Sequence, residues 1–114
     1  MKLFDLAARA RGSGEGEYVL GAADLHTHAC YLIYGLVEPG ASPRRLRPGP
    51  GHEEIFCVVS GALRLEGRTG VVAAGQAFHL QGEEELLATA EGSEPAVYVA
   101  AGGHSPGAQH HQHS

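Results

Sequence analysis

The 114-residue chain has no tryptophan, one methionine and two cysteines, and its seven aromatic residues are three Phe and four Tyr. Its basic set is a single lysine, Lys2, and seven arginines, against 13 Asp and Glu, for a formal net charge of -5. Two cysteines are too few for a disulfide scaffold; Cys30 and Cys57 sit in apolar runs and read as buried free thiols. Arg44, Arg45 and Arg47 cluster, but no long basic stripe exists to neutralise a phosphate backbone, so nucleic-acid binding is not expected. The longest apolar run, Ala29 to Val37, is broken by Gly35 and is far shorter than the roughly 20 residues that span a bilayer. Asp5 interrupts the N-terminal apolar stretch where a signal peptide would continue, so the expectation is a cytoplasmic protein without membrane contact.

What the chain does have is turn-formers: 17 Gly and 6 Pro, with 43% hydrophobic residues. That balance is wrong for a helix bundle and right for short strands separated by tight turns. Apolar runs occur at Tyr18–Leu20, Cys30–Val37, Ile55–Val59, Ala62–Glu66, Val71–Ala73, Ala77–Leu80, Leu86–Ala90 and Ala96–Ala101, most of them closed by a glycine. Their spacing, close to ten residues, predicts an all-β jelly-roll barrel. A short amphipathic helix is expected over residues 3–11, and no helical periodicity is evident after it. The expected organisation is one domain over residues 1–103, with its core at about 17–101, and a mobile His-rich tail at 104–114.

The chemistry concentrates around His52-Glu53-Glu54. In an extended strand His52 and Glu54 share a face with Phe56 and Val58, placing an imidazole and a carboxylate side by side at the mouth of an apolar barrel. Such a pair can hold a first-row metal or move a proton. Pro39-Gly40, then Glu53 to Gly61, then Gly67 and Gly75-Gln76-Ala77-Phe78-His79-Leu80 resemble a small single-domain cupin of the cupin_2 kind. The resemblance covers about residues 30 to 101 and implies a double-stranded β-helix, a barrel metal and a homodimer. A partner would also cover an edge strand such as Tyr18–Leu20.

The first motif of that family runs G-x5-H-x-H-x3,4-E-x6-G, and Glu54 and Gly61 match its second half. Its paired histidines fall instead on Arg45 and Arg47 or on Pro48 and Pro50, and Glu85 replaces the ligand histidine of the second motif. The metal motif is therefore degenerate. His52, Glu54 and Glu85 remain as an altered donor set for a divalent ion such as Mn, Fe, Ni or Zn. Alternatively the barrel is metal-free and these side chains bind a small polar ligand, with Phe56 on the same face and Arg45 or Arg47 contacting a carboxylate or phosphate. Glu83, Glu84 and Glu85 need a cation or an arginine nearby, or else form an exposed turn.

His79 is expected to face away from the barrel interior, and His26 and His28 to form a surface or interface pair. His104, His110, His111 and His113 can chelate metal loosely in the tail. Two functions stay open: a metal-dependent enzyme of dioxygenase or isomerase type using His52, Glu54 and Glu85, or a non-catalytic ligand-sensing module.

Overall fold

A computed structural model describes residues 1–67 and 70–105. The expected tail beyond Ser105 lies outside the described residues. The chain begins with helix α1 (Leu6–Gly12), whose N-cap Asp5 accepts a hydrogen bond from the Ala8 amide at 3.0 Å, satisfying one of the orphan donors of the first turn. Among the described residues nine strands follow: β1 (Glu17–Leu20), β2 (Tyr31–Val37), β3 (Arg44–Leu46), β4 (His52–Ser60), β5 (Ala62–Glu66), β6 (Val71–Ala73), β7 (Ala77–Gln81), β8 (Leu86–Ala90) and β9 (Ala96–His104). One more helical turn, α2 (Ala22–Leu25), joins β1 to β2.

The strands form two antiparallel sheets, a five-stranded one ordered β1-β2-β9-β4-β7 and a four-stranded one ordered β3-β8-β5-β6. The expected eight strands are all present. Two elements went unforeseen. The strand β3 contributes one buried apolar residue, Leu46, too little for a visible alternation, and is recruited by pairing with β8. The turn α2 spans four residues, too few for a helical period. The last strand also continues past Ala101 to His104, because each of its residues there pairs with Glu54, Glu53 or His52 of β4. Cys30 corrects one expectation: it precedes β2 and is exposed, while Cys57 is half-buried, and both are free thiols.

The inward faces of the two sheets meet in one core. Phe56 and Val58 of β4, Leu80 of β7 and Tyr98 of β9 pack against Leu46, Leu63, Leu86 and Ala88 of the smaller sheet. Strict alternation along β4 puts Glu54, Phe56 and Val58 inside while Ile55 and Val59 stay exposed. Phe56 stacks on Phe78 with ring centroids 5.1 Å apart and touches Tyr98 at 6.0 Å, geometry that aromatic pairs favour beyond their buried area.

Two tyrosines cross the larger sheet in the same way. Tyr98 on β9 lies over Gly35 of β2, and its hydroxyl donates to Glu17 Oε2 of β1 at 2.7 Å. Tyr31 on β2 lies over Gly102 of β9, and its hydroxyl donates to Glu54 Oε2 of β4 at 2.6 Å. Each ring occupies the space above a glycine. A Cβ added at Gly35 would stand 2.1 Å from Tyr98 Cζ, and one added at Gly102 would stand 2.2 Å from Tyr31 Cζ.

Gly35→Ala is therefore expected to destabilise the protein by about 2–3 kcal/mol, the cost of overpacking a filled core. Denaturant unfolding followed by tyrosine fluorescence measures it. A change below about 0.5 kcal/mol, the size of an ordinary surface effect, would show that the crossing is not tight.

Candidate functional site

The site is built where β2, β9 and β4 end together. Tyr31, Gly102 and Glu54 lie in one row across the three strands, and His52 and His104 pair in the next inward-facing row. A cleft of about 330 Å³ opens there, with Tyr31, His52 and Glu54 as its polar wall and Val19, Ile33 and Pro48 among its apolar ones. Glu54 forms its floor and is only 5% exposed.

A carboxylate at that depth needs a donor, and the Tyr31 hydroxyl supplies it. Burial, followed by the hydrogen bond to Glu54, pushes the Tyr31 phenol well above its usual range. Oε1 of Glu54 has no described protein partner, yet no fully enclosed side-chain polar atom among the described residues lacks one. Oε1 therefore opens on the cleft. His52 sits at the rim, its Nδ1 3.1 Å from the Pro50 carbonyl oxygen, with its ring edge-on to Tyr31 at 6.1 Å and against the His104 ring at 4.8 Å.

The other predicted site residues lie elsewhere. Arg45 donates to Glu85 at 2.6 Å and Arg47 to Glu83 at 3.0 Å, in ion pairs on the outside of the barrel. The arginine cluster and the glutamate run are thus largely each other's partners, and Glu84 accepts from the Gln81 amide at 2.7 Å. Phe56 is 2% exposed, enclosed within the core and below the cleft's reach. His79 is exposed on the outer face and bonds to Glu53 at 2.9 Å, as its alternation implies. The third arginine, Arg44, turns inward. It donates to the Glu15 carbonyl oxygen, to that of Gly16 at 3.4 Å and to the Tyr98 hydroxyl at 3.5 Å. It lines a larger concavity at the opposite end of β2, about 460 Å³, but its donors are engaged in holding the loop before β1.

These placements decide how a barrel metal would fare. Of the donor set His52, Glu54 and Glu85, the structure brings together the first two, while Glu85 is engaged outside by Arg45. One oxygen of Glu54 is held by Tyr31. Among the described residues no group of three His, Cys, Asp or Glu side chains converges as a metal cage would need. The residues present do not fit a resident metal of the kind the cupin resemblance implies.

Sequence reasoning located Glu54 and His52 but missed Tyr31 and His104. No local signal marks them, since each faces its partner only through the register of β9 against its two neighbours.

This two-sheet barrel is a cupin fold, a small double-stranded β-helix. A Klebsiella pneumoniae protein of uncharacterised role with a double-stranded β-helix domain superposes with a TM-score of 0.66 at 18% identity, over 92% of this chain and 86% of that one. A cupin protein from Bacteroides fragilis gives 0.67 at 13% identity, over 93% and 85% of the two chains. The Cupin_2 domain of an XRE family transcriptional regulator from Enterobacter cloacae gives 0.61 at 20% identity, over 80% and 98%. At the level of sequence no family profile and no curated protein matches the chain. Identities this low establish the fold and leave the activity to the site itself.

Two expectations follow from the crossed tyrosines. Tyr31→Phe leaves the buried Glu54 without its donor and should cost about 1–3 kcal/mol in unfolding free energy. An unchanged midpoint would show that solvent already satisfies the carboxylate. Burial raises the phenols of both Tyr31 and Tyr98 in the folded state. Their contribution is then complete below about pH 10, the unfolded value, and is lost as pH rises beyond it, because the unfolded chain releases those protons first. Denaturant unfolding between pH 8 and 11 should show stability falling above about pH 10, with a shallower fall in Tyr98→Phe. Equal slopes in the two proteins would overturn the assignment.

Proposed function

We propose that this protein is a small cupin-barrel binding module that takes a small polar ligand in the cleft at the barrel mouth. The observation that carries the reading is the buried Glu54 carboxylate. One oxygen is fixed by Tyr31 and the other faces a cleft with apolar side walls. A fixed acceptor at the floor of an apolar cleft selects a ligand with a donor group, an amine or hydroxyl, carried on a compact apolar body. His52 at the rim offers a second polar contact.

The enzymatic alternative needs a divalent metal held by His52, Glu54 and Glu85. The outward Glu85–Arg45 pair speaks against that ligand set and favours a non-catalytic, ligand-sensing role. The similarity to a domain of an XRE family regulator supports the same direction. No helix among the described residues is long and apolar enough to cross a membrane. Separately, we propose a cytoplasmic location. We also propose a homodimer, in which a second copy covers Ile55 and Val59, each more than half exposed on the outer face of β4.

The test is a thermal-shift screen of small amines and alcohols carried on compact apolar groups, in the presence of EDTA. A ligand at about a hundred times its Kd should raise Tm by roughly 5 °C or more. Its affinity should fall at least tenfold in Glu54→Gln, and stay unchanged in Glu85→Gln. A ligand whose binding ignores Glu54, or a complete lack of hits, would overturn the reading. For the dimer, light scattering should give twice the mass of the chain, and Ile55→Asp should shift it to one chain. A monomeric mass for the unsubstituted protein removes the dimer.

A further inference from the structure

His104 takes no part in the ligand reading, and His52 enters it only as a contact at the rim. They come from adjacent strands, directly opposite each other in the β4–β9 register. Their rings stand 4.8 Å apart between centroids, inclined by 38°. The tautomer of His52 follows from its partner. Its Nδ1 lies 3.1 Å from the Pro50 carbonyl oxygen, which can only accept, so Nδ1 carries the hydrogen and, in the neutral ring, Nε2 presents a lone pair. Holding one ring nitrogen on a backbone carbonyl is how ligating imidazoles are oriented and made more basic. The edge-on contact with Tyr31 limits the ring's rotation further.

We propose that His52 and His104 form a two-nitrogen chelate for a late first-row divalent cation, Ni²⁺, Cu²⁺ or Zn²⁺, at the rim of the cleft. Two imidazole nitrogens bound to one ion at about 2.1 Å lie roughly 3 to 3.4 Å from each other, a separation compatible with ring centroids 4.8 Å apart. Neutral imidazoles suit these cations better than magnesium or calcium, which favour oxygen donors. Among the described residues no third His, Cys, Asp or Glu converges on the pair. The remaining positions of the ion are therefore open to water or to a molecule bound in the cleft. His79 cannot join, because it lies on the outer face and is bonded to Glu53. The site is distinct from the barrel interior, where the donor set does not fit a metal.

The test titrates Ni²⁺ calorimetrically into the full chain carrying His110→Ala, His111→Ala and His113→Ala, which silences the other histidines near the C-terminus. One equivalent should bind, and adding either His104→Ala or His52→Ala should weaken it at least tenfold. His104 is exposed and His52 half-exposed, so neither change threatens the fold. In the unsubstituted chain, substoichiometric Ni²⁺ should broaden the imidazole NMR signals of His52 and His104 before those of His26 and His79. Binding that disappears with the three C-terminal substitutions alone, survives both single variants unchanged, or spares the two signals overturns the site. Because the ligand screen runs in EDTA, failure of the chelate and failure of the Glu54 reading are read separately.

Discussion

The barrel depends on two tyrosine rings laid across glycines. A tyrosine in mid-sheet buries a large ring but carries a hydroxyl that must find a partner. Here each ring passes over a residue without a side chain and delivers its hydroxyl to a glutamate one strand further on. The four strands β1, β2, β9 and β4 are thereby tied by side chains as well as by their ladders. Arg44 extends one of these ties to the other sheet, since it reaches Tyr98 from β3.

That constraint shapes the site. In this arrangement Glu54 is first the acceptor that lets Tyr31 be buried, and only its second oxygen is free to meet a ligand. The same carboxylate held among three further protein donors would be a metal ligand; held by a phenol, it is a fixed hydrogen-bond acceptor. The charged runs that looked available for binding are engaged with one another. Arg45 and Arg47 neutralise Glu85 and Glu83, pairs that at their exposure contribute little stability individually but resolve the repulsion within the glutamate run.

Much of the fold was legible before any coordinates. Glycines close most strands, and alternation along β4 puts Glu54, Phe56 and Val58 on one face because the side-chain period of a strand is two. The strand β3 and the turn α2 were not legible, since elements of three or four residues carry no period; β3 exists here because β8 pairs with it, and in α2 Asp24 is held by Tyr18 and Arg9. Cys30 shows the same limit. Its run of apolar neighbours pointed inside, yet the strand starts one residue later and leaves it exposed.

The sequence alone determined the all-β architecture and the shared face of His52 and Glu54. These are properties of composition and of nearest neighbours, which survive any arrangement of the strands. Tertiary structure alone decided which carboxylates are engaged outside, which tyrosine reaches Glu54, and that His104 stands against His52. Those pairings depend on which strands lie side by side and in what register. A shift of one residue would turn every one of these side chains to the opposite face.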